Sequence, residues 1–436
     1  VDRFAGPATA PRPRVTVRST GSGRASWYLA LSLAAVHLVS SVDRHILTLV
    51  LSAIEREFGL TDTDLGFLHG TAYVLVYAIA IVPLGMLADR YDRRRILVGG
   101  LIIWTIGTAA CGLSQSYGQL VAARMVVGLG QAALVPTAIS LIAESFGARR
   151  MGRPIAAFTA ASTLGRGVAL IGGGLLLTLI VDSGMPPALA PWRALFLLSL
   201  VLNLVALAWI LTIKSDSRAQ GLVGVAPDLA KAVATRWPVY LAYFGGAVAS
   251  ITLVQIIAAW TPTILVRSFA LSVAQSGMLF GPIVLGFGPA GNLAGGWLVD
   301  SLERRGVAGA AGLANALSLI AAIAAGSILC SAQSLPIAVP GLMATTFFLG
   351  MTTPTSLVGI QNLTPAAIRG RVTGVFVLCV TLVSLGAGPV AVGWLSDQVD
   401  DVTDGLRLAV LVAFWGIGCL GVLSAAVAQR LDRAAA

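Results

Sequence analysis

The sequence predicts an all-α polytopic membrane protein, with twelve transmembrane helices in two six-helix bundles related by internal duplication. Three observations predict it. The 436 residues are 57% hydrophobic and only 11% charged, with a mean hydropathy of +0.87, which is more apolar surface than one soluble core can bury. Apolar runs long enough to cross a bilayer, about 20 residues each, recur along the chain. Two short motifs repeat at a fixed separation of 211 residues. Inside a bilayer each run must satisfy its own backbone, and runs this long and uniform do so as helices.

In order, the runs cover 27–51, 66–88, 96–113, 118–142, 154–181, 193–213, 238–262, 276–299, 307–330, 337–360, 371–396 and 406–428. Residues 1–26, with Pro7, Pro11, Pro13 and five arginines, read as a disordered cytoplasmic tail. The first run is too long for a signal-peptide core and eleven more follow it, so it reads as an uncleaved span. The bundles are 27–213 and 238–428, joined by a polar linker, 214–237, whose length lets the halves move relative to each other. Residues 429–436 form a second short tail.

The net charge of +10 has a topological origin. Of the 29 Lys and Arg residues, 22 fall in the two tails and the even-numbered turns. Arg56, Arg193, Arg267 and Arg407 fall on the opposite side, and Arg44, Arg124 and Arg166 lie within spans. This positive-inside asymmetry places both termini in the cytoplasm of a cell whose inner membrane the chain spans, and argues against nucleic acid as a partner. The expected partners are the bilayer and a small amphipathic substrate, with the chain acting as a monomer.

The duplication is legible in pairs. Gly59 to Leu68 recurs as Ala270 to Leu279, and Gly85-Met86-Leu87-Ala88-Asp89 recurs as Gly296-Trp297-Leu298-Val299-Asp300. Gly165-Arg166-Gly167 with Gly172 matches Gly386-Ala387-Gly388 with Gly393. Two such repeats are how many secondary transporters build bundles that rock about a central site. The turn Gly85-x-Leu87-Ala88-Asp89-Arg90-x-x-Arg93-Arg94-x-x-Leu97, with a degraded copy at Gly296, Leu298, Asp300 and Arg304, resembles the signature of the major facilitator superfamily. Asp92 stands where that family usually has glycine. The buried Asp43-Arg44, the stretch Gly59-Leu60-Thr61-Asp62 to Leu65-Gly66, and Arg124-x-x-x-Gly128-x-Gly130 resemble the spinster-like subfamily, whose better-known members move lysolipids or sphingoid-base phosphates. The resemblance implies a cytoplasmic gate in which Asp89 faces the N-terminus of the eleventh helix, where the dipole favours an anion, and Arg93 pairs with Glu144.

The expected centre is Asp43-Arg44, a carboxylate and a guanidinium at membrane depth, where charge is costly and usually functional. Arg124 and Gln131 lie seven apart on one face of the fourth helix and span a similar depth, so all are expected to converge on one cavity. A carboxylate whose arginine partner comes and goes is a workable proton carrier; a permanent ion pair that only stabilises the bundle is the alternative. Spinster-like proteins usually carry glutamate at the position of Gln131, and glutamine cannot titrate. Arg166 adds a third intramembrane guanidinium, and this surplus favours an anionic substrate group. Gly386, Gly388 and Pro389, like Gly281-Pro282 and Gly288-Pro289, are bend or close-packing positions.

Several function classes are excluded. Neither lysine follows a glycine, so there is no phosphate loop and ATP is not the direct energy source. His37, His45 and His69 have no metal-ligand spacing, Cys111, Cys330, Cys379 and Cys419 lie within spans, and no hydrolase constellation occurs. The chain therefore reads as a secondary transporter with no metal, no cofactor and no enzymatic activity, in which the proton is the candidate coupling ion. It is expected to move a lysolipid-like or sphingoid-phosphate-like anion by alternating access. A drug–proton antiporter or an organic-anion transporter of the same fold is the alternative.

Overall fold

The structure is a computed structural model that describes residues 23–146, 152–182, 190–213, 236–364, 369–399 and 402–435. Residues 1–22 of the expected tail and most of the expected linker lie outside the described residues. Among the described residues twelve helices are long and apolar enough to cross a membrane: α1 (Gly23–Phe58), α2 (Asp62–Ala88), α3 (Arg93–Leu113), α4 (Tyr117–Phe146), α5 (Arg153–Asp182), α6 (Pro191–Thr212), α7 (Trp237–Phe269), α8 (Val273–Arg304), α9 (Ala310–Ser331), α10 (Leu335–Leu363), α11 (Val372–Ser396) and α12 (Gly405–Arg433). Among the described residues there is no strand. Most helices run past their apolar windows, because polar end turns continue the backbone ladder. The start of α1 and the end of α12 lie on one side, called here the terminal side; the other is the far side.

The repeat is built into the packing. In the first half α1 packs on α5 and α6, α3 on α4 and α6, and α2 on α4; in the second half α7 packs on α11 and α12, α9 on α10 and α12, and α8 on α10. The same duplication sets two helix starts. Thr61 and Asp64 form a capping box at α2, and Ser272 and Gln275 form one at α8. It also gives two far-side arginines matching tasks. Arg193, opening α6, donates to the carbonyl of Ser114 after α3 (2.8 Å through Nη2) and pairs with Glu57, while Arg407 donates to the carbonyls of Cys330 (2.9 Å) and Ala332 after α9. Each satisfies carbonyls that have no intrahelical donor and complements a helix C-terminus.

The halves meet through α5 on α8, α2 on α11, and α1 on α7. Among the described residues, the hydrogen bonds and ion pairs between them gather at the far side. Arg267, closing α7, grips Asp62 with two bonds (2.6 and 3.0 Å) and reaches Glu55 of α1 (2.8 Å). Ser396 donates to Asp62 (2.6 Å), and Asp397 accepts from the backbone N–H groups of Asp62 and Thr63 (2.9 Å each). Toward the terminal side a Cβ added at Gly286 or Gly288 of α8 would meet nothing within 4 Å among the described residues. The molecule is closed on the far side.

Candidate functional site

Asp43 and Arg44 are neighbours in sequence, but successive helical residues point about 100° apart, and the structure separates them. Asp43 turns into the first bundle and is 2% exposed. Its Oδ2 accepts from Asn203 of α6 (2.6 Å) and Thr108 of α3 (3.0 Å), while its Oδ1 makes no hydrogen bond within normal distance and angle among the described residues, with Ser199 its nearby hydroxyl. No arginine lies within ion-pair distance among the described residues, so the permanent Asp43–Arg pair is not formed. The expected convergence on one cavity is also corrected: Asp43 sits behind α1, on a different face from Arg44. Asn203 and Thr108 were the missed signals, two polar residues inside otherwise apolar spans.

Arg44 is half-buried and donates to Gln131 Oε1 (3.3 Å). The same oxygen accepts from the hydroxyl of Tyr73 on α2 (3.0 Å), and Gln131 Nε2 donates to the Ser40 carbonyl (3.1 Å). The guanidinium carbons of Arg44 and Arg124 lie 5.0 and 5.5 Å from the centre of the Tyr73 ring, within cation–π range. Arg124 is 1% exposed, and its Nε and Nη2 have no acceptor among the described residues. Arg44, Arg124 and Gln131 thus come together around Tyr73, a residue that sequence reasoning passed over.

The fourth helix positions this group by breaking beside it. Its first segment ends at Gln131, two turn residues follow, and the second begins at Leu134. Pro136 explains the break, since its ring carries no N–H for residue 132 and disfavours continuous helix. Gly128 and Gly130 let α4 press on its neighbours: a Cβ would stand 2.4 Å from the Tyr73 carbonyl at Gly128 and 2.4 Å from the Trp104 nitrogen at Gly130. Gly128→Val should therefore push α4 from α2 and cost about 1–3 kcal/mol by overpacking. A lowered thermal midpoint in detergent checks this; an unchanged midpoint contradicts it.

Arg166 of α5 is half-buried and donates through Nε to His45 Nε2 (3.0 Å), and His45 Nδ1 donates to the Ser41 carbonyl (2.7 Å). His45 is thereby held as a neutral ring that orients Arg166. His37 donates to the Phe158 carbonyl (2.8 Å) and stacks on that ring, and His69 meets Thr48 at 3.4 Å. No group of three or more metal-ligating side chains occurs among the described residues. Thr352 and Thr355 bond carbonyls of their own helix, and Thr355 also reaches Asn315. An apolar crevice of about 330 Å³ lies on the Val42–Ile46 side of α1, against α5 and α6, with Ser199 its one hydroxyl.

On the terminal side Arg93 pairs with Glu144 (2.7 Å), and Arg94 donates to the Leu211 carbonyl at the end of α6. Asp92, which departs from the family pattern, caps α3: its carboxylate accepts the Arg94 N–H (2.9 Å), and its φ of −59° needs no glycine. The side chain of Asp89 lies outside the described residues. Asp300 and Arg304 are exposed, with no hydrogen bond or ion pair among the described residues, and Gly85 meets only Pro136 of its own half. Gly386 and Pro389 sit in the closed far-side contact: the Gly386 carbonyl accepts from Thr71 (2.5 Å), and the Pro389 carbonyl accepts from Trp260 (3.2 Å). At Gly388 a Cβ would press on Thr252.

Twelve spans in two pseudo-symmetric halves, with charge held inside one half and a closure between them, define a membrane transporter. Residues 33–389 match the Major Facilitator Superfamily, and the chain belongs to that family. It is 26% identical over 391 residues to an MFS-type efflux pump of Mycolicibacterium smegmatis, covering 87% of this chain and 86% of that protein. It is 28% identical over 212 residues to Protein spinster of Drosophila melanogaster, covering 49% of this chain and 33% of that protein. Among solved structures, a bacterial homologue of the human lysosomal transporter Spinster, in an inward-facing and occupied conformation, superposes with a TM-score of 0.82 at 21% identity, covering 94% of this chain and 98% of that one. The fold is Spinster-like.

Proposed function

We propose that this chain is a secondary transporter that moves an amphipathic anion by alternating access, with Asp43 carrying the coupling proton. One observation carries the substrate class. Arg44, Arg124 and Arg166 stand in the middle of the first half with no carboxylate in ion-pair reach among the described residues, and Arg124 keeps two buried N–H groups without acceptors. Unpaired intramembrane guanidinium is costly and is retained where it serves a ligand or a path; its planar fork fits phosphate or carboxylate. A lysolipid-like or sphingoid-phosphate-like substrate combines such a head with an apolar tail.

Proton coupling is supported by Asp43 Oδ1, which makes no hydrogen bond of normal geometry among the described residues, and by Arg124, which lies within electrostatic reach. Pairing of the two in another conformation would satisfy both. The arginine distribution supports cytoplasmic termini in a cell's inner membrane, so that far-side closure is an inward-facing state. No cofactor or second subunit enters this reading. A small organic acid is the second reading, since the same guanidiniums accept it and a Probable L-galactonate transporter of Escherichia coli is 26% identical over 324 residues.

Flux into proteoliposomes tests both, using a lysolipid, a sphingoid phosphate, a small organic acid and a cationic drug, each with and without a pH gradient. Transport of the amphipathic anions is expected, stimulated by the gradient, and Asp43→Asn should remove that stimulation. Transport of the cationic drug alone would reject the reading.

A further inference from the structure

We propose that α2 and α11 form a two-ended latch, in which Asp397 holds the far side closed by the same contact, carboxylate on helix N-terminus, that Asp89 makes on the terminal side in the alternate state. The Asp89 half rests on the family reading of the gate. The Asp397 half rests on geometry.

Gly393-Trp394-Leu395-Ser396-Asp397 is a third copy of the Gly-x-Leu-x-Asp pattern found at Gly85 to Asp89 and Gly296 to Asp300. Gly393 answers to Gly172 in the duplication, but Leu176 stands where Asp397 would have its counterpart, so the repeat alone does not account for the acid. It stands at the far-side end of α11, whereas Gly85 to Asp89 stands at the terminal-side end of α2. The two helices run in opposite directions. Each aspartate therefore lies at the level of the other helix's N-terminus.

At the far end the contact is made. Asp397 Oδ1 accepts the N–H of Asp62 (2.9 Å), and Oδ2 accepts the N–H (2.9 Å) and hydroxyl (2.5 Å) of Thr63. These are first-turn N–H groups, which have no acceptor within their own helix. Thr61 serves the N–H of Asp64 (3.2 Å), so the first turn of α2 is shared between a local cap and a carboxylate from the other half of the molecule. Gly393 makes the approach feasible, because a Cβ there would stand 2.2 Å from the Asp62 carbonyl. One turn further in, Gly66 lies against the Pro389 carbonyl, and Gly70 lies against that of Leu385.

At the terminal end the corresponding glycine, Gly85, meets no described atom of α11 within 4 Å of an added Cβ; among the described residues it meets only Pro136. Two packed helices on rocking bodies close at one end as they part at the other. An acid at each end, each with a partial positive charge as its target, gives both states a comparable fixed contact and leaves neither end idle. Asp397 acts on transport by position, through the equilibrium between states.

The test uses spin labels at Gln115 and Gln333, two exposed far-side turn residues in opposite halves, with Cys379 and Cys419 replaced by serine, in lipid nanodiscs. Pulsed dipolar distances should show a short, far-closed population. Asp397→Ala is expected to move roughly tenfold of the closed-to-open ratio toward longer distances. Asp397→Asn, which keeps the shape and one acceptor, should move it less. Adding Asp89→Asn to Asp397→Ala should return the short population. An unchanged distribution in Asp397→Ala, in protein that remains monodisperse, overturns the far-side latch. Opening by Asp397→Ala without recovery in the double variant leaves that contact standing and overturns the two-ended device together with the Asp89 reading.

Discussion

Arg267→Met is expected to open the far side of the molecule. The guanidinium neutralises two carboxylates from the other half, Asp62 and Glu55, in a contact where Arg267 and Asp62 have side chains only 9% and 6% exposed. Removing one member of a buried pair leaves an uncompensated charge and costs about 3–5 kcal/mol. Here the penalty falls on the closed state alone, because parting the halves lets water reach both acids. A cost of that size shifts the ratio of states by roughly two to four orders of magnitude. A cysteine at Thr48, 1% exposed and two turns below Glu55, reports the change. In the parent it should react slowly with a maleimide presented from the far side, and in Arg267→Met it should react at the rate of a surface thiol. Equal rates in the two proteins would show that Arg267 does not hold the closure. Methionine keeps much of the stem's volume, so lost packing is a minor contributor.

Arg267 also shows where the sequence stops being legible. Its position after the seventh apolar run is plain, and the charge asymmetry places it on the far side; its partners are not, since they come from residues more than 200 positions away. Asp62 was visible as part of a motif and Asp397 as a carboxylate after a span, but nothing in a linear pattern pairs them. The twelve helices were legible because bilayer length and apolarity are local properties. The two halves were legible because duplication leaves the same letters at a fixed offset. The capping boxes at Thr61 and Ser272 carry the same offset and were there to be read. Convergence at the centre was only half legible: heptad spacing put Arg124 and Gln131 on one face, but adjacency of Asp43 and Arg44 suggested a shared cavity, and helical geometry sends their side chains apart. Tyr73 and Pro136 carry no charge and so drew no notice, although one ring organises two guanidiniums and one proline ends the helix at Gln131.

Gln131→Glu is expected to give transport a second route of sensitivity to a pH gradient, independent of Asp43, and the hydrogen bonds around residue 131 say why. The amide is fixed in orientation: Oε1 faces two donors, Arg44 Nη2 and the Tyr73 hydroxyl, and Nε2 faces an acceptor, the Ser40 carbonyl, at 3.1 Å. A protonated glutamic acid reproduces this arrangement, with its O–H donating to Ser40 in place of the amide N–H. An ionised glutamate cannot, since its second oxygen would confront the carbonyl, acceptor against acceptor, while Arg44 draws it away. Glutamine therefore holds permanently the network that glutamate has only with its proton. Losing the Ser40 bond and leaving that buried acceptor unpaired costs about 1–3 kcal/mol, a factor of roughly 5–150 between conformations. In acid the variant should match the parent in its distribution of states; in alkali it should depart by that factor. In an Asp43→Asn background, where gradient stimulation is expected to be absent, Gln131→Glu should bring it back. Failure to do so, with the variant folded and binding substrate, would mean that residue 131 takes no part in handling protons.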